Sequence, residues 1–419
     1  MLNRFWRFPP EDIPLKKLLL ALSLIALSFP ARAENPDPSD WNGVLADARG
    51  QTVYFNAWGG AQNINAYLEW VGEKLQNRFG VTLVHVKLED TATAVAKVVT
   101  EKAAGKDEGG SVDLIWINGE NFASMKSQNL LLGPGWAEQL PNWAYVDVDN
   151  KPTVRTDFTI PVEGLESPWG MAKLVFFHDS ARTDAADMPG SAKELLAWAK
   201  ENPGRFSYPQ PPDFTGSSFL KQVLAELITD RSLLQKPVVE ASFEAATAPL
   251  FAYLDELNPL LWRSGRAFPQ NYPAMKQLLA DNEADIIFAF NPAEASGAIA
   301  AGELPDTVRS FTFPGGTLGN THFVAIPFNA SAKAGALVTA DFLISPEAQA
   351  RKQDPQIWGD PTVLALARLE PDDRARFEAI DLGVATLGPD ELGPALDEPH
   401  PSWMERVEEG WKRRYGVGN

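Results

Sequence analysis

Residues 51–117 read QTVYFNAWGGAQNINAYLEWVGEKLQNRFGVTLVHVKLEDTATAVAKVVTEKAAGKDEGGSVDLIWI, and this stretch decides the fold class. Residues 52–56 have strand character and run into Ala57-Trp58-Gly59-Gly60. Behind them Ile64, Leu68, Val71, Leu75 and Phe79 recur every three or four positions, the spacing of one buried helical face. Gly80 stands just past the last of these, where a left-handed residue closes a helix. Residues 81–88 predict a second strand, and residues 91–104 a second helix ended by Gly105. Residues 112–117 predict a third strand, almost wholly apolar, as a strand covered on both faces must be. Strand, helix, strand, helix, strand implies an α/β fold with a parallel sheet and right-handed crossovers.

Downstream the alternation continues less regularly. Pro168-Trp169-Gly170 precedes a predicted strand at 171–178, and residues 191–202 carry Leu195, Leu196 and Trp198 at helical spacing. A short strand at 205–208 leads into the Pro-rich segment 209–214 and then Thr215-Gly216-Ser217-Ser218, with a helix over 219–228. Residues 231–280 read as mostly helix, 284–290 as a strand ending at Asn291-Pro292, 323–327 as a strand, and 332–343 as a helix closed by Ser345-Pro346. The acidic C-terminal tail reads as helical, with Trp403 and Trp411. Upstream, Lys16 and Lys17 precede an apolar run over 18–29, then Pro30 and Ala31-Arg32-Ala33. Charged start, short apolar core and small-x-small site make residues 1–33 a secretory leader. The run falls short of the roughly 20 residues a membrane span needs.

The sequence has no cysteine, which excludes disulfides, thiol catalysis, thiolate metal sites and a lipid-modified cysteine anchor. An exported, unanchored chain is expected free in the periplasm. Net charge is −18; residues 1–33 hold five basic and two acidic side chains, so the remainder stands at −21. Such a balance disfavours nucleic acid, whose binding is dominated by cationic contacts to phosphate. The length exceeds what one core usually supports, so two lobes are expected.

In an open α/β sheet a ligand lies beyond the carboxyl ends of the strands, where loops meet helix starts. This rule selects Trp58, Gly59 and Gly60; Asn118, Glu120 and Asn121; Trp169; Thr215, Ser217 and Ser218; and Asn291. Each segment combines small residues, which admit a ligand to the backbone, with an amide, hydroxyl, carboxylate or indole. Each also has a plainer reading. Trp58 is equally a core residue, Gly59-Gly60 turn geometry, Asn118 and Asn121 helix caps, and Glu120 a solvated first-turn acid. If Glu120 faces the cleft, it calls for a cationic ligand; the start of the helix at Thr215 would suit an anion or carbonyl. Enzyme patterns are weaker. His85, His178, His322 and His400 are scattered without metal-ligand spacing, and neither a nucleophile elbow nor a phosphate-cradling loop is present. A convergent pair of carboxylates, as in glycosidases, stays open as the hydrolase alternative.

Several segments, in order, resemble the extracellular solute-binding proteins of ABC importers: VDLIWI at 112–117 with Leu130-Leu131-Leu132, Pro168-Trp169-Gly170 with LVFFHD at 174–179, the helix at 189–198, residues 285–291, FPGGT at 313–317, FVAIP at 323–327 and ADFLISPEAQ at 340–349. The resemblance covers most of residues 51–350. It implies the type II periplasmic-binding fold, two α/β lobes, each a mostly parallel sheet flanked by helices, joined by crossing strands. Residues 34–167 and 322–419 would form the first lobe and residues 168–321 the second. The nearest likeness is to the branch serving thiamine, polyamine and ferric-iron importers, and to YnjB-like receptors. The adjacent tyrosines usual in the iron branch are absent, which argues against ferric iron. By this resemblance the chain is a monomeric, non-enzymatic receptor without cofactor that delivers a small solute to a cognate permease. Glu120, Asp213 and the tryptophans favour an aromatic or aliphatic cation, with a polyhydroxyl or anionic ligand on Thr215, Ser217 and Ser218 as the other option. A sensor subunit on the same fold is a further alternative.

Overall fold

The computed structural model describes residues 35–388 and 390–416, and the expected leader lies outside them. Helix α1 (Trp41–Ala48) is followed by β1 (Thr52–Trp58), α2 (Gln62–Phe79), β2 (Thr82–Leu88), α3 (Ala92–Ala103), β3 (Leu114–Ile117) and α4 (Gly119–Ser127). Then come the short β4 (Thr156–Asp157) and β5 (Ile160–Pro161), β6 (Glu166–Lys173), β7 (Val175–Asp179), α5 (Ala192–Glu201), α6 (Phe214–Leu227), α7 (Glu240–Leu257) and α8 (Tyr272–Ala280). The chain ends through β8 (Ile286–Ala289), α9 (Glu294–Ala300), β9 (Val308–Phe311), β10 (Thr317–Ala325), α10 (Lys333–Leu343), α11 (Pro346–Gln353), α12 (Pro371–Glu378), β11 (Ala395–Leu396) and α13 (Pro401–Tyr415).

The opening rhythm forms as its pattern dictates. β1 pairs in parallel with β2 and β3, with Tyr54 opposite Val84 and Phe55 opposite Leu114. Val53, Phe55 and Ala57 face inward against Leu68, Val71 and Leu75 of α2, all buried in one cluster. Gly80 takes φ +68° and donates its N–H to the Gln76 carbonyl at 3.1 Å, while the Val81 N–H returns to Leu75 at 3.4 Å, closing α2 as the left-handed cap requires. This sheet runs β11-β10-β3-β1-β2, with β6 also paired to β10.

The second sheet, β8-β7-β9, is antiparallel throughout, which corrects the expectation of a mostly parallel sheet in that lobe. The segment read as a strand at 205–208 supplies only one parallel bridge, Phe206 to Ile286, so no parallel neighbour is added. Its core gathers Phe176, Phe177, Phe206, Phe219 and Phe288, with Phe176 stacked on Phe313 at 4.4 Å.

Two strands join the lobes. β6 pairs antiparallel with β10 from Glu166–Ala325 to Lys173–Gly319, and only Leu174 separates β6 from β7. Of the two, β6 runs on into β7 of the second sheet without a loop, while residues 312–316 link β9 of that sheet to β10. A third crossing differs from expectation. Helix α13, expected to fold with the first lobe, buries Trp403, Met404, Val407 and Trp411 in the core of the second. Their spacing puts an apolar stripe on one helical face, and the indoles are fixed there: Trp411 Nε1 donates to Tyr208 Oη at 2.9 Å and Trp403 Nε1 to the Lys236 carbonyl at 2.9 Å.

Candidate functional site

Between the lobes lies a cleft of about 920 Å³, and its floor is the crossing ribbon, through Ala172, Asn320 and His322. Residues from the ends of β1, β3 and β8 and the starts of α2, α4 and α6 form its walls, the segments that the strand-end rule selects. Trp58, Gly60, Asn118, Glu120, Asn121, Thr215, Ser217 and Asn291 all line it. The rule fails for three residues. Gly59 is not a lining residue: its N–H binds the Leu88 carbonyl at 2.9 Å, and a Cβ there would meet Lys87 at 2.6 Å. Ser218 is fully buried and donates back to the Phe214 carbonyl at 2.8 Å.

Trp169 is the third. Pro168-Trp169-Gly170 lies inside β6 rather than at a strand end, and the Trp169 indole is wholly buried in the first-lobe core. It sits behind the cleft wall, edge-on to Trp116 at 5.0 Å and to Trp358 at 5.3 Å. Those two indoles line the cleft in its stead. Gly170 is required here, since a Cβ would run into the side chains of Asp360, His322 and Lys352.

Those three side chains form a buried charged group under the floor. Asp360 pairs with Lys352 and with His322 Nε2 at 3.0 Å, and the His322 ring stacks on Trp358 at 6.0 Å. Burial pulls the Lys352 ammonium below its ordinary range, against the attraction of Asp360.

Two of the helix starts that face the cleft, those of α6 and α4, are already occupied by carboxyl groups, whereas the start of α2 has no side-chain cap. Asp213 Oδ1 accepts from the N–H of Thr215 at 2.9 Å and of Gly216 at 3.2 Å, capping α6. At α4 the Gly119 N–H goes to both Asp157 oxygens at 2.8 Å, while Asn118 makes no side-chain cap bond and leaves its amide to the cleft. The start at Thr215 therefore does not offer the open anion site its sequence suggested.

Eight carboxyl-bearing side chains line the cleft against two lysines. Both lysines are neutralised locally: Lys221 pairs with Glu398 at 2.7 Å, and Lys276 with Glu303 and, at 3.5 Å, Glu294. Lys221 also sits 4.4 Å over Phe158 and 5.2 Å over Phe214, aromatic rings contributed by the two lobes. The remaining acids crowd one another. Burial, reinforced by the charge of Glu120, pushes Glu408 up to about 7 against the hydrogen bond from Ser217. Burial raises Asp213 to about 6, and Glu120 above the usual carboxylate range. Asn291 is engaged by the protein: its Nδ2 donates to the Trp358 carbonyl at 3.1 Å and its Oδ1 accepts from Ala293 at 3.0 Å.

Sequence reasoning missed Phe158, Lys221, Asn320, His322, Trp358, Asp360, Met404 and Glu408, all of which line the cleft. Trp116, which also lines the cleft, went unselected because it reads as one more apolar residue of β3. Glu408 carried no local signal, since it comes from a helix that reads as an acidic tail. Among the described residues no cluster of three or more His, Asp or Glu is arranged to hold a metal, and no helix is long and apolar enough to cross a membrane.

Residues 70–371 match the family of bacterial extracellular solute-binding proteins. The chain belongs to that family. It is 46% identical over 401 residues to Protein YnjB of Escherichia coli K12, covering 96% of this chain and 98% of that one. Its fold is shared by the periplasmic binding protein AfuA of Actinobacillus pleuropneumoniae, solved with fructose-6-phosphate (TM-score 0.60, 14% identity, 88% of this chain and 99% of that one). The TpPotD lipoprotein Tp0655 of Treponema pallidum shares it too (TM-score 0.62, 14% identity, 86% and 98%). The solute-binding protein described here is thus of ABC-transporter type, with the two-lobed type II fold.

Proposed function

We propose that this solute-binding protein captures a small organic cation between its lobes and hands it, unchanged, to an ABC permease. The observation that carries the reading is the imbalance of the cleft: eight carboxyl groups face two lysines that are each already paired. A cation relieves that crowding, whereas an anion would meet repulsion in a site of reduced dielectric. Aromatic walls from Trp58, Trp116 and Phe214 suit a cation with an aliphatic or aromatic body. In this reading the receptor works as a monomer in the periplasm after loss of residues 1–33, the lobe of residues 34–167 and 322–419, less helix α13, closing on the lobe of residues 168–321 about the crossing strands.

The test is a thermal-shift and calorimetric screen of the chain from Glu34 against organic cations, sugars and anions. Ligand at about a hundredfold excess over Kd adds roughly 2.7 kcal/mol of stability, a visible rise in melting temperature. A shift confined to cations, with the compound recovered intact, supports the reading. A shift confined to sugars or anions overturns it, and recovery of a cleaved compound favours the paired-carboxylate hydrolase.

A further inference from the structure

One hydrogen-bond acceptor of the cleft sits on the ribbon that joins the lobes. Asn320 lies on β10 opposite Ala172 of β6, in the ribbon that joins the lobes, and is 5% exposed. Its Nδ2 donates to Glu398 Oε1 at 2.9 Å. A carboxylate accepts only from the NH₂ end, so this bond fixes which way the amide points. Asn320 Oδ1 is then left buried, without a partner, in a residue that lines the cleft floor. A buried carbonyl oxygen in that state awaits a donor.

The neighbouring polar groups do not provide one. Ser217 directs its single hydroxyl proton to Glu408, and the Lys221 ammonium is held by Glu398 at 2.7 Å. Glu120 is reached by its own backbone N–H and, at a long 3.4 Å, by Asn121 Nδ2. Glu408 reaches the site from α13, which is rooted in the second-lobe core, whereas Glu120 begins α4 after β3 of the first sheet. The two acids therefore approach from opposite lobes.

We propose that Asn320, with Glu120 and Glu408, reads hydrogen on the solute, so that the cation taken up bears N–H bonds: a protonated amine or an amidinium rather than a quaternary ammonium. This rests on the cationic reading above and narrows it. Ring faces alone attract a permethylated ammonium as well as a protonated one. Acceptors discriminate, because a site built to receive N–H groups rejects an analogue that leaves them unpaired. The carbonyl on the hinge strand is satisfied only by a cation seated on the floor, which ties recognition to the position from which the lobes close.

The experiment is calorimetry of the chain from Glu34 with benzylammonium, butane-1,4-diammonium and phenethylguanidinium, the first two each set against its N-permethylated counterpart. The expected result is at least tenfold tighter binding of the N–H form within a pair. Asn320→Leu and Glu408→Gln should each lower that ratio by at least threefold in protein that keeps its circular dichroism. Equal or tighter binding of the quaternary forms overturns the proposal and leaves the cationic reading standing. If guanidinium and ammonium bind but neither variant changes the ratio, the assignment to Asn320 and Glu408 is wrong. Failure of every cation, while a sugar or anion binds, overturns both.

Discussion

Trp116 and Trp169 meet edge to face, with ring centroids 5.0 Å apart and planes at 86°, yet only Trp116 reaches the cleft. One indole presents a surface to ligand and the other holds that surface in place. Substitution should separate the two roles. Trp169→Ala removes a fully buried ring and should lower unfolding free energy by about 3–5 kcal/mol. Trp169→Phe should fold and bind within threefold of the parent. Trp58→Ala, at the cleft wall, should destabilise far less and weaken binding of the best cation at least tenfold. Denaturant melts and calorimetry on the same samples check both halves.

Stability of the empty protein should depend on pH in an unusual direction. Glu408 rises to about 7 and Asp213 to about 6 in the folded state, chiefly through burial. A raised carboxyl contributes stability that is present below its unfolded value, near 4.5, and lost as pH climbs through the folded value. The unliganded protein should therefore melt higher at pH 5 than at pH 8. Cation affinity should run the opposite way, weakening as pH falls from 8 to 5 and these acids take up protons. Glu408→Gln should flatten both profiles; a melting temperature independent of pH across that window would contradict the assignment.

Lys352 is wholly buried beside Asp360. Lys352→Met leaves the carboxylate without its ammonium and should cost about 3–5 kcal/mol. The double variant Lys352→Met with Asp360→Asn should recover a substantial part of that loss, because the uncompensated charge is gone. A single variant as stable as the parent would show that the pair matters little.

Capping of α6 offers a narrower check. Asp213→Ala withdraws the acceptor from two N–H groups and should cost about 0.5–2 kcal/mol. Asp213→Asn should restore most of this, since an amide oxygen also caps well. Equal melting temperatures for all three proteins would rule the cap out.

Much of the fold was legible because the first lobe obeys one local rule after another. The stripe on α2, the glycine closing it and the apolar β3 each specify their element within a few residues. Trp58, Asn118 and Asn291, which line the cleft, were selected for the same reason: they stand where strands end. Trp169 was misplaced because a glycine after an aromatic residue reads as a turn. Gly170 is there for another cause, the side chains of His322, Lys352 and Asp360 packed against it from more than 150 residues away. Glu408 and Asn320 show the same limit. Neither becomes a site residue until the C-terminal helix crosses to the second lobe and β10 joins β6, events that no local window records.

The carboxyl groups of Asp213 and Asp157 on the starts of α6 and α4 give the receptor a form of immunity. Helix starts are where stray phosphate or sulfate collects. At these two helices the berth has a tethered tenant that cannot diffuse away. Inorganic anions should therefore be turned away from these two helix starts, which leaves the walls there to the solute.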